Sequence, residues 1–348
     1  MSTVEFLPVP LTSLTLRPGD MRLPEPMELS LELDGDLISR AKVKTGFTVR
    51  GIEKRIQSMP LLQGTLYASL VDPETSLFYQ SAYFGALEHL AKIEISEGDR
   101  YCRRVLMQWS ALAHYLRKLG EAARSIGVEP AYYYATRDRE ILLETLEWFT
   151  GHRFGYFAFQ MGGVKSPLSK GMVERALEIL SALSPRVEEY RAFLSEQHGV
   201  RARLSGVGIL SSHYFQEYEI GGEKMRAIAA SKQYLDAFQR VCIWVQELQE
   251  GILNLKTTLQ NGVPEFSISN ERIGSVPKGE ALYRQEGPRG TVGVSLILEE
   301  SNQISSVQFL SPSDHILAAL PEALTGVRLE DLEIVLRLFD FSIREVDR

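Results

Sequence analysis

Cysteine is scarce in this sequence. Only two of its 348 residues are cysteines, Cys102 and Cys242. Two cysteines are too few for a disulfide framework, and they suit a reducing compartment. They also exclude any metal centre that needs four thiolates from this chain. We therefore interpret both side chains as small buried hydrophobic groups.

Long apolar runs and an excess of positive charge are missing as well. No apolar stretch approaches the roughly 18 to 20 residues that a membrane-spanning helix needs, and residues 1–8 lack the basic and apolar regions of a signal peptide. The net charge is −7, with lysine and arginine spread along the chain, so no nucleic-acid partner is expected. The six histidines form no H-x-x-x-H or H-x-H pair, so no metal site is predicted. If this protein acts at a membrane, other chains are expected to anchor it there.

The patterns of polar and apolar residues in the sequence predict an α+β fold that is mainly helical. Residues 28–35 alternate between polar and apolar and close on a D-G turn, which indicates a strand. Apolar residues at steps of three and four along 105–119 and 241–259 indicate long helices that face a core. Residues 292–298, mostly β-branched or apolar, indicate another strand.

These patterns divide the chain into three parts that together form one integrated structural unit. We predict an N-terminal β module over residues 1–45, a bundle of long helices over 46–262 and a C-terminal α+β module over 263–348. The C-terminal module begins with turns and strands and ends in a short amphipathic helix.

Several short motifs stand in a fixed order along the chain. Residues 276–294 read V-P-K-G-E-A-L-Y-R-Q-E-G-P-R-G-T-V-G-V and carry Glu280, Glu286 and Arg289, with the arginine on a stiff P-R-G bend. The sequence ends in D-R, which is Asp347 and Arg348. Upstream, residues 46–54 read G-F-T-V-R-G-I-E-K, residues 104–120 run from R-V to L-R-K-L-G, and residues 205–210 read S-G-V-G-I-L.

Together these motifs resemble the large subunit shared by respiratory complex I and the membrane-bound group 4 nickel-iron hydrogenases. The resemblance covers nearly the whole chain and implies the hydrogenase large-subunit fold. In the hydrogenases two C-x-x-C pairs hold the metals, whereas no cysteine stands near residues 53–63 or 338–343 here. The resemblance therefore implies that this chain is not an active hydrogenase by itself.

In complex I the vacated cavity holds a quinone headgroup through a histidine and a tyrosine. The histidine turn corresponds to residues 16–24, L-R-P-G-D-M-R-L-P, which contain no histidine, and the aspartate-tyrosine pair corresponds to Asp72 and Pro73. Val49 stands where the G-x-x-H-R-G motif has its histidine, and His152 lies near the position of another family histidine. Val49, Asp72, Pro73 and His152 are therefore the positions expected to line the cavity. The site is degenerate, because the histidine and the tyrosine that bind the quinone headgroup in the family are both missing.

Arg50, Glu53 and Lys54 keep the family's R-G-x-E-K pattern. The resemblance places them next to an iron-sulfur cluster in a neighbouring small subunit, where a cation would stabilise the reduced cluster. The alternative is a structural ion pair between Arg50 and Glu53 in a loop. Likewise, Glu280, Glu286 and Arg289 either line the site or form a buried carboxylate-guanidinium network that stabilises the C-terminal sheet.

Two functions follow from the resemblance. In the first, the chain is the large subunit of an oxidoreductase complex on the cytoplasmic side of the cell membrane. It packs on the iron-sulfur small subunit and couples electron transfer to ion translocation through antiporter-like membrane subunits, without binding a cofactor itself. In the second, it is an inactive scaffold that docks the small subunit onto the membrane arm. The missing histidine, tyrosine and thiolates favour the scaffold, and Arg50 with its neighbours favours electron transfer.

Overall fold

The computed structural model describes residues 12–264 and 276–348. Residues 1–11 of the predicted N-terminal module and residues 265–275 of the predicted C-terminal module lie outside these ranges. The strands are β1 Thr12–Leu16, β2 Glu28–Asp34, β3 Leu37–Lys44, β4 Phe159–Gln160, β5 Gly163–Val164, β6 Leu210–Ser211, β7 Tyr234–Leu235, β8 Gly279–Glu286, β9 Thr291–Leu298 and β10 Ile304–Leu310. The helices are α1 Ile52–Gln57, α2 Gly64–Ala68, α3 Ser76–Ala91, α4 Glu97–Ser125, α5 Glu129–Thr150, α6 Lys170–Leu183, α7 Arg186–Leu194, α8 His198–Leu204, α9 Ser212–Glu217, α10 Glu223–Ala230, α11 Ala237–Gln260, α12 Pro312–Leu324, α13 Leu332–Leu338 and α14 Ile343–Val346.

The mainly helical α+β fold is confirmed, with the two larger sheets near the ends of the described chain. The N-terminal sheet is antiparallel, in the order β1-β2-β3. Leu29, Leu31 and Leu33 of β2 are buried while the residues between them are partly exposed, as the alternation predicts. This sheet packs against α12 through β3, so the first and last parts of the described chain are in contact.

Three long helices form the centre of the molecule. Helix α4 packs against both α5 and α11, and the apolar residues of its predicted stripe are all buried. Both α4 and α11 begin with a side-chain cap: the Ser96 hydroxyl accepts the Asp99 N–H, and Asp236 and Gln239 form a capping box. In α4, Trp109 buries its ring and donates its indole N–H to the Leu142 carbonyl oxygen at 2.9 Å.

The C-terminal sheet carries the motif of residues 276–294. It is antiparallel, in the order β10-β9-β8, and packs on α3 through β8 and β9. The turn between β8 and β9 therefore lies next to the helical centre. Among residues 12–264 and 276–348, no helix combines the length and the apolarity needed to cross a membrane.

Candidate functional site

The tight turn between β8 and β9 directs Arg289 into the protein interior. Gly287 and Gly290 exchange backbone hydrogen bonds of 3.1 and 3.2 Å across the turn. Pro288 fixes its own φ, and Gly290 has a φ of 143°, a conformation that essentially only glycine adopts. As a result the Arg289 side chain is 1% exposed.

Three carboxylates from distant parts of the chain surround this guanidinium. Glu345 accepts a hydrogen bond from Arg289 Nη1 at 2.7 Å, Asp72 lies 3.3 Å from the same nitrogen, and Asp340 lies 3.4 Å from Nε. Burial alone would raise the pKa of Asp72, but Arg289 and the hydroxyls of Ser342 and Thr75 hold it below its ordinary value. Burial opposes the charge of Arg289 too, and the three carboxylates still raise its pKa well above the usual range.

Serine and threonine hydroxyls satisfy most of the remaining carboxylate oxygens. Glu345 accepts hydrogen bonds from Ser311 at 3.0 Å, from Thr75 at 3.1 Å and from Ser313. Asp72 accepts from the Ser342 hydroxyl at 2.9 Å. A buried ionic cluster is stable only when its lone pairs are used in this way. The cluster is therefore a fully formed ionic network with Arg289 at its centre.

Asp340 connects this network to helix α4. Its carboxylate lies 2.9 Å from His114 Nε2 and 3.6 Å from Lys118 Nζ, and its φ of 53° is unusual for a residue other than glycine. Burial opposes its ionisation, yet His114, Lys118 and Arg289 hold the pKa of Asp340 well below its usual range. Burial lowers the pKa of His114 despite the attraction of Asp340. Within the described residues, His114 Nδ1 has no hydrogen-bond partner.

Glu25 is a site residue that sequence reasoning missed. It lies between Pro24 and Pro26, just before β2, and accepts a hydrogen bond from the backbone N–H of Ile343. Burial raises the pKa of Glu25 to about 7, although the Ile343 N–H and Arg289 act in the opposite direction. Its carboxyl group therefore changes charge near neutral pH beside the Arg289 cluster. The signal in the sequence is a carboxylic acid between two prolines, at the end of the segment that corresponds to the family's histidine turn.

Arg50 is held by backbone carbonyl groups, and the ion pair with Glu53, which was the alternative to a cluster-facing role, does not form among the described residues. Its guanidinium donates to the carbonyl oxygens of Leu70, Val71 and Arg344, and the Val71 bond is 2.8 Å long. Burial lowers the pKa of Arg50. Glu53 instead accepts from the Phe309 N–H at 3.0 Å and from Arg348 Nε at 3.1 Å. Gly51, whose φ is 64°, stands between the two residues, and α1 begins directly after it at Ile52.

The last two residues fasten the segment that contains Arg50. Asp347 is buried and accepts hydrogen bonds from the backbone N–H groups of Gly46 and Thr48, each 2.8 Å long. Arg348 bonds to Glu53 and to Asp314, the latter at 3.0 Å. The contacts of Asp347 with residues 46 and 48 and of Arg348 with Glu53 join positions about 300 residues apart in sequence, and both residues have structural roles in this arrangement.

The other predicted positions fall in different surroundings. Asp72 is buried in the Arg289 cluster, and Pro73 next to it is partly buried. Val49 is 65% exposed, and Lys54 and His152 are exposed. The His152 ring contacts the rings of Tyr156 and Phe157, with centroid distances of 6.1 and 5.6 Å.

Glu280 and Glu286 do not belong to the Arg289 network, so the predicted three-residue network is wrong in these two members. Both side chains lie on the exposed face of β8, because alternate residues of a strand point in opposite directions. Glu286 pairs with Arg226 at 2.7 Å and accepts from the Thr291 hydroxyl at 2.9 Å. The acids that bind Arg289 come instead from residues 72, 340 and 345, which no local pattern links to the motif.

The segment that holds Arg50 also exposes several large apolar side chains. Leu62, Leu66 and Leu70 follow at intervals of four residues and are 48%, 38% and 38% exposed. Together with Phe47, 42% exposed, and Val49, these exposed side chains of one segment are what we call the 47–70 face. Arg50 and Arg55 tie the two halves of the face together, the first through the Leu70 carbonyl oxygen and the second over the Tyr67 ring. An exposed apolar group of this kind is typical of a surface that binds another protein.

Substituting alanine for Gly290 tests the turn that positions Arg289. A methyl group there would lie 2.5 Å from the Glu219 carbonyl oxygen and would strain a φ that only glycine tolerates. We expect Gly290→Ala to lower the free energy of unfolding by about 3 kcal/mol or more, measured by urea denaturation. The control is Gly326→Ala, at φ 80° with nothing within 4 Å, which is expected to cost about 1 kcal/mol. An equal loss of unfolding free energy at both positions would contradict the close approach of the Glu219 carbonyl oxygen to Gly290.

Comparisons with known proteins agree on one relationship. The family described as "Respiratory-chain NADH dehydrogenase, 49 Kd subunit" matches residues 125–236 and 252–348, more than half of the chain. One subunit of the F420H2 dehydrogenase of Methanosarcina mazei is 28% identical, over 96% of each chain. One subunit of the NADH-quinone oxidoreductase of Bacillus anthracis is 26% identical, over 92% of this chain and 93% of the relative.

A solved structure shares the fold. A chain of the membrane-bound sulfane sulfur reductase, an archaeal respiratory membrane complex, superposes with a TM-score of 0.86. The match covers 97% of this chain and 98% of the other, at 22% identity.

Proposed function

We propose that this chain, which belongs to the family of the respiratory-chain NADH dehydrogenase 49 kDa subunit, is the large subunit of a membrane-associated oxidoreductase complex. It packs on an iron-sulfur small subunit at the cytoplasmic side of the cell membrane. Other peripheral subunits and antiporter-like membrane subunits complete the complex and couple electron transfer to ion translocation. The names of its relatives, which are subunits of F420H2 dehydrogenase and of NAD(P)H-quinone and NADH-quinone oxidoreductases, support this proposal.

The observation that carries the proposal is the 47–70 face next to Arg50. Five exposed apolar side chains in one short segment are costly in water and are covered when a partner binds. Arg50 sits in the same segment with a half-buried guanidinium, so a bound small subunit would have a fixed cation at its surface. A fixed cation next to a cluster stabilises its reduced form and raises its potential.

The residues of this chain are better suited to holding a proton in the interior than to binding an iron-sulfur cluster or a quinone headgroup. The described residues contain no group of three or more His, Cys, Asp or Glu side chains that could hold a metal ion. Val49 and Pro73 offer no side-chain donor to a quinone headgroup. Glu25 holds a proton near neutral pH next to the Arg289 network, and it is the group from which a reduced acceptor could draw one.

The alternative is an inactive scaffold that docks the small subunit onto the membrane arm. The Arg289 network favours this function, because carboxyl groups that already share one guanidinium have a structural role. Electron transfer separates the two functions. The experiment reduces the iron-sulfur cluster of the purified complex and then adds a quinone analogue. Reoxidation of the cluster that is slower in the Glu25→Gln complex would support a redox role. A cluster that stays reduced would support the scaffold.

Charges placed on the 47–70 face test its role directly. We expect the double substitution Leu62→Asp and Leu66→Asp to abolish recovery of iron with the tagged chain, because buried carboxylates would oppose the interface. The measurement is a mild-detergent pull-down from the native host, with iron quantified and the partners identified by mass spectrometry. The matched control is Leu253→Asp on α11, a side chain that is 63% exposed outside the face. Unchanged iron in the double variant would contradict the proposed docking surface.

A further inference from the structure

A cleft of about 360 Å³ opens between α4, α11 and the β8–β9 turn, and its lining shares no residue with the 47–70 face. One face of α4 forms a wall of the cleft, with residues 104, 107, 108, 111, 112 and 115 at helical spacing. Met107, Ala111 and Leu112, together with Phe78 of α3, make this wall largely apolar. The volume is within the range of small-molecule sites.

An acid with an unused oxygen lies at one end of the cleft. Glu247 of α11 is 7% exposed, and among the described residues its Oε2 atom has no hydrogen-bond partner. The Tyr115 hydroxyl and the Met225 N–H lie against the same carboxyl group. A side chain on Gly222 would lie 2.5 Å from Glu247 Oε1, so glycine is what lets the backbone approach the acid this closely. A buried polar atom without a partner costs free energy until something donates to it.

The charges around the cleft are unevenly placed. Glu223, Glu250 and Glu286 line it together with Glu247; Lys224 is already paired with Glu250, and Arg226 with Glu286, which leaves Glu223 and Glu247 without a cation among the described residues. The other cation of the lining is Arg104, which stands eleven residues before Tyr115, about 16 Å along the axis of α4. The Glu247 end is therefore acidic, and the apolar wall leads away from it.

We infer that this cleft binds a small aliphatic ammonium ion, whose N–H groups donate to Glu247 while its alkyl chain lies against Leu112, Ala111 and Met107. The ammonium supplies the donor that Glu247 Oε2 lacks and offsets the excess of carboxylates at that end. A neutral alcohol of the same length could pack against the apolar wall, but it would leave the negative charge at the Glu247 end uncompensated. Binding at this cleft is independent of the proposed electron-transfer role.

The protonation of Glu247 gives this binding a characteristic pH dependence. Burial raises the pKa of Glu247 to about 8, Asp340 and Glu250 act in the same direction, and the Met225 N–H and Lys224 oppose them. Tyr115 faces the same group from α4, and its own pKa is raised well above the usual value, first by burial and then by Glu247. An ammonium ion favours the carboxylate, so one proton passes from Glu247 to the solvent on binding. The apparent affinity should rise as much as tenfold per pH unit between pH 6 and about 8, and level off above that.

Calorimetry on the full chain tests the inference. The probe is n-butylammonium, titrated at pH 7 in two buffers of different ionisation enthalpy, with n-butanol as the neutral comparison. We expect n-butylammonium to bind with release of close to one proton and n-butanol to bind at least tenfold more weakly. No binding of n-butylammonium at tens of millimolar, or equal binding of the alcohol, would overturn the inference.

Three variants make the test specific. Glu247→Gln should lose the proton release and at least tenfold in affinity, with its fold verified by circular dichroism. Glu250→Gln, a half-exposed rim residue, should weaken binding by about two- to fivefold and supplies the test if Glu247→Gln does not fold. Glu144→Gln, an exposed acid on α5 outside the cleft, should bind as the unmodified chain does. Proton release that persists in Glu247→Gln would assign it to another group and reject the site.

Discussion

Replacement of Arg289 by methionine is expected to lower the free energy of unfolding by about 3 to 5 kcal/mol, the cost of removing one partner from a buried ionic cluster. Methionine keeps most of the side-chain length and adds no new charge. It leaves Asp72, Asp340 and Glu345 in the interior without the guanidinium that lies within 3.4 Å of each of them. Like charges at this separation in a poorly solvated interior raise the pKa values of the carboxyl groups.

The pH at which the measurement is made should change the size of this effect. Arg289 is one of the groups that hold the pKa values of Asp72 and Asp340 below their ordinary range. Without it these acids can relieve their repulsion by taking up protons, which is easier at low pH. Urea denaturation followed by circular dichroism should therefore show a larger loss of stability at pH 8 than at pH 5.

An exposed arginine provides the control for this experiment. Arg328 is 61% exposed and lies 3.8 Å from both Asp36 and Glu330. Arg328→Met should change the free energy of unfolding by less than about 1 kcal/mol, because water screens such pairs. A loss of the same size at both positions, or no loss at Arg289, would mean that the central guanidinium does not hold the carboxylates together.

The sequence predicts the secondary structure of this chain well because each element repeats a local pattern. The alternation of polar and apolar residues in β2, and the spacing of apolar residues by three and four in α4 and α11, indicate which face of each element is buried. The structure buries those faces. The same alternation would have placed Glu280 and Glu286 on the exposed face of β8. Arg289 lies outside this strand, in the turn that follows it, so sharing one motif does not bring the three side chains into one site.

The contacts that build the site could not be predicted in this way. Arg289 meets Asp72 across 217 positions of sequence, and Asp347 meets Gly46 across 301. No periodicity links such pairs, because they depend on how the sheets pack on the helices. Glu25 and Glu247 were missed for a related reason: a glutamate next to a proline or within a helix looks ordinary until burial changes its pKa.

Glu25→Gln is expected to remove a pH dependence of stability that the unmodified chain shows. The pKa of Glu25 is raised from 4.5 to about 7, so the folded state binds this proton more tightly than the unfolded chain does. Stability from this group is therefore complete below pH 4.5 and is lost as the pH rises to 7. The shift of about two and a half pH units corresponds to a loss of up to about 3 kcal/mol. Glutamine keeps the shape of the side chain and cannot ionise.

The informative quantity is the difference in unfolding free energy between Glu25→Gln and the unmodified chain, measured by urea denaturation at half-unit steps from pH 4 to pH 8. This difference should move in favour of the variant by up to about 3 kcal/mol across that range, while other titrating groups cancel. Glu144→Gln, on the exposed face of α5, should give a difference that stays within about 0.5 kcal/mol. A difference that does not change with pH would show that folding leaves the pKa of Glu25 at its ordinary value of 4.5. Glu25 would then be almost fully ionised at neutral pH and unable to supply a proton to an acceptor.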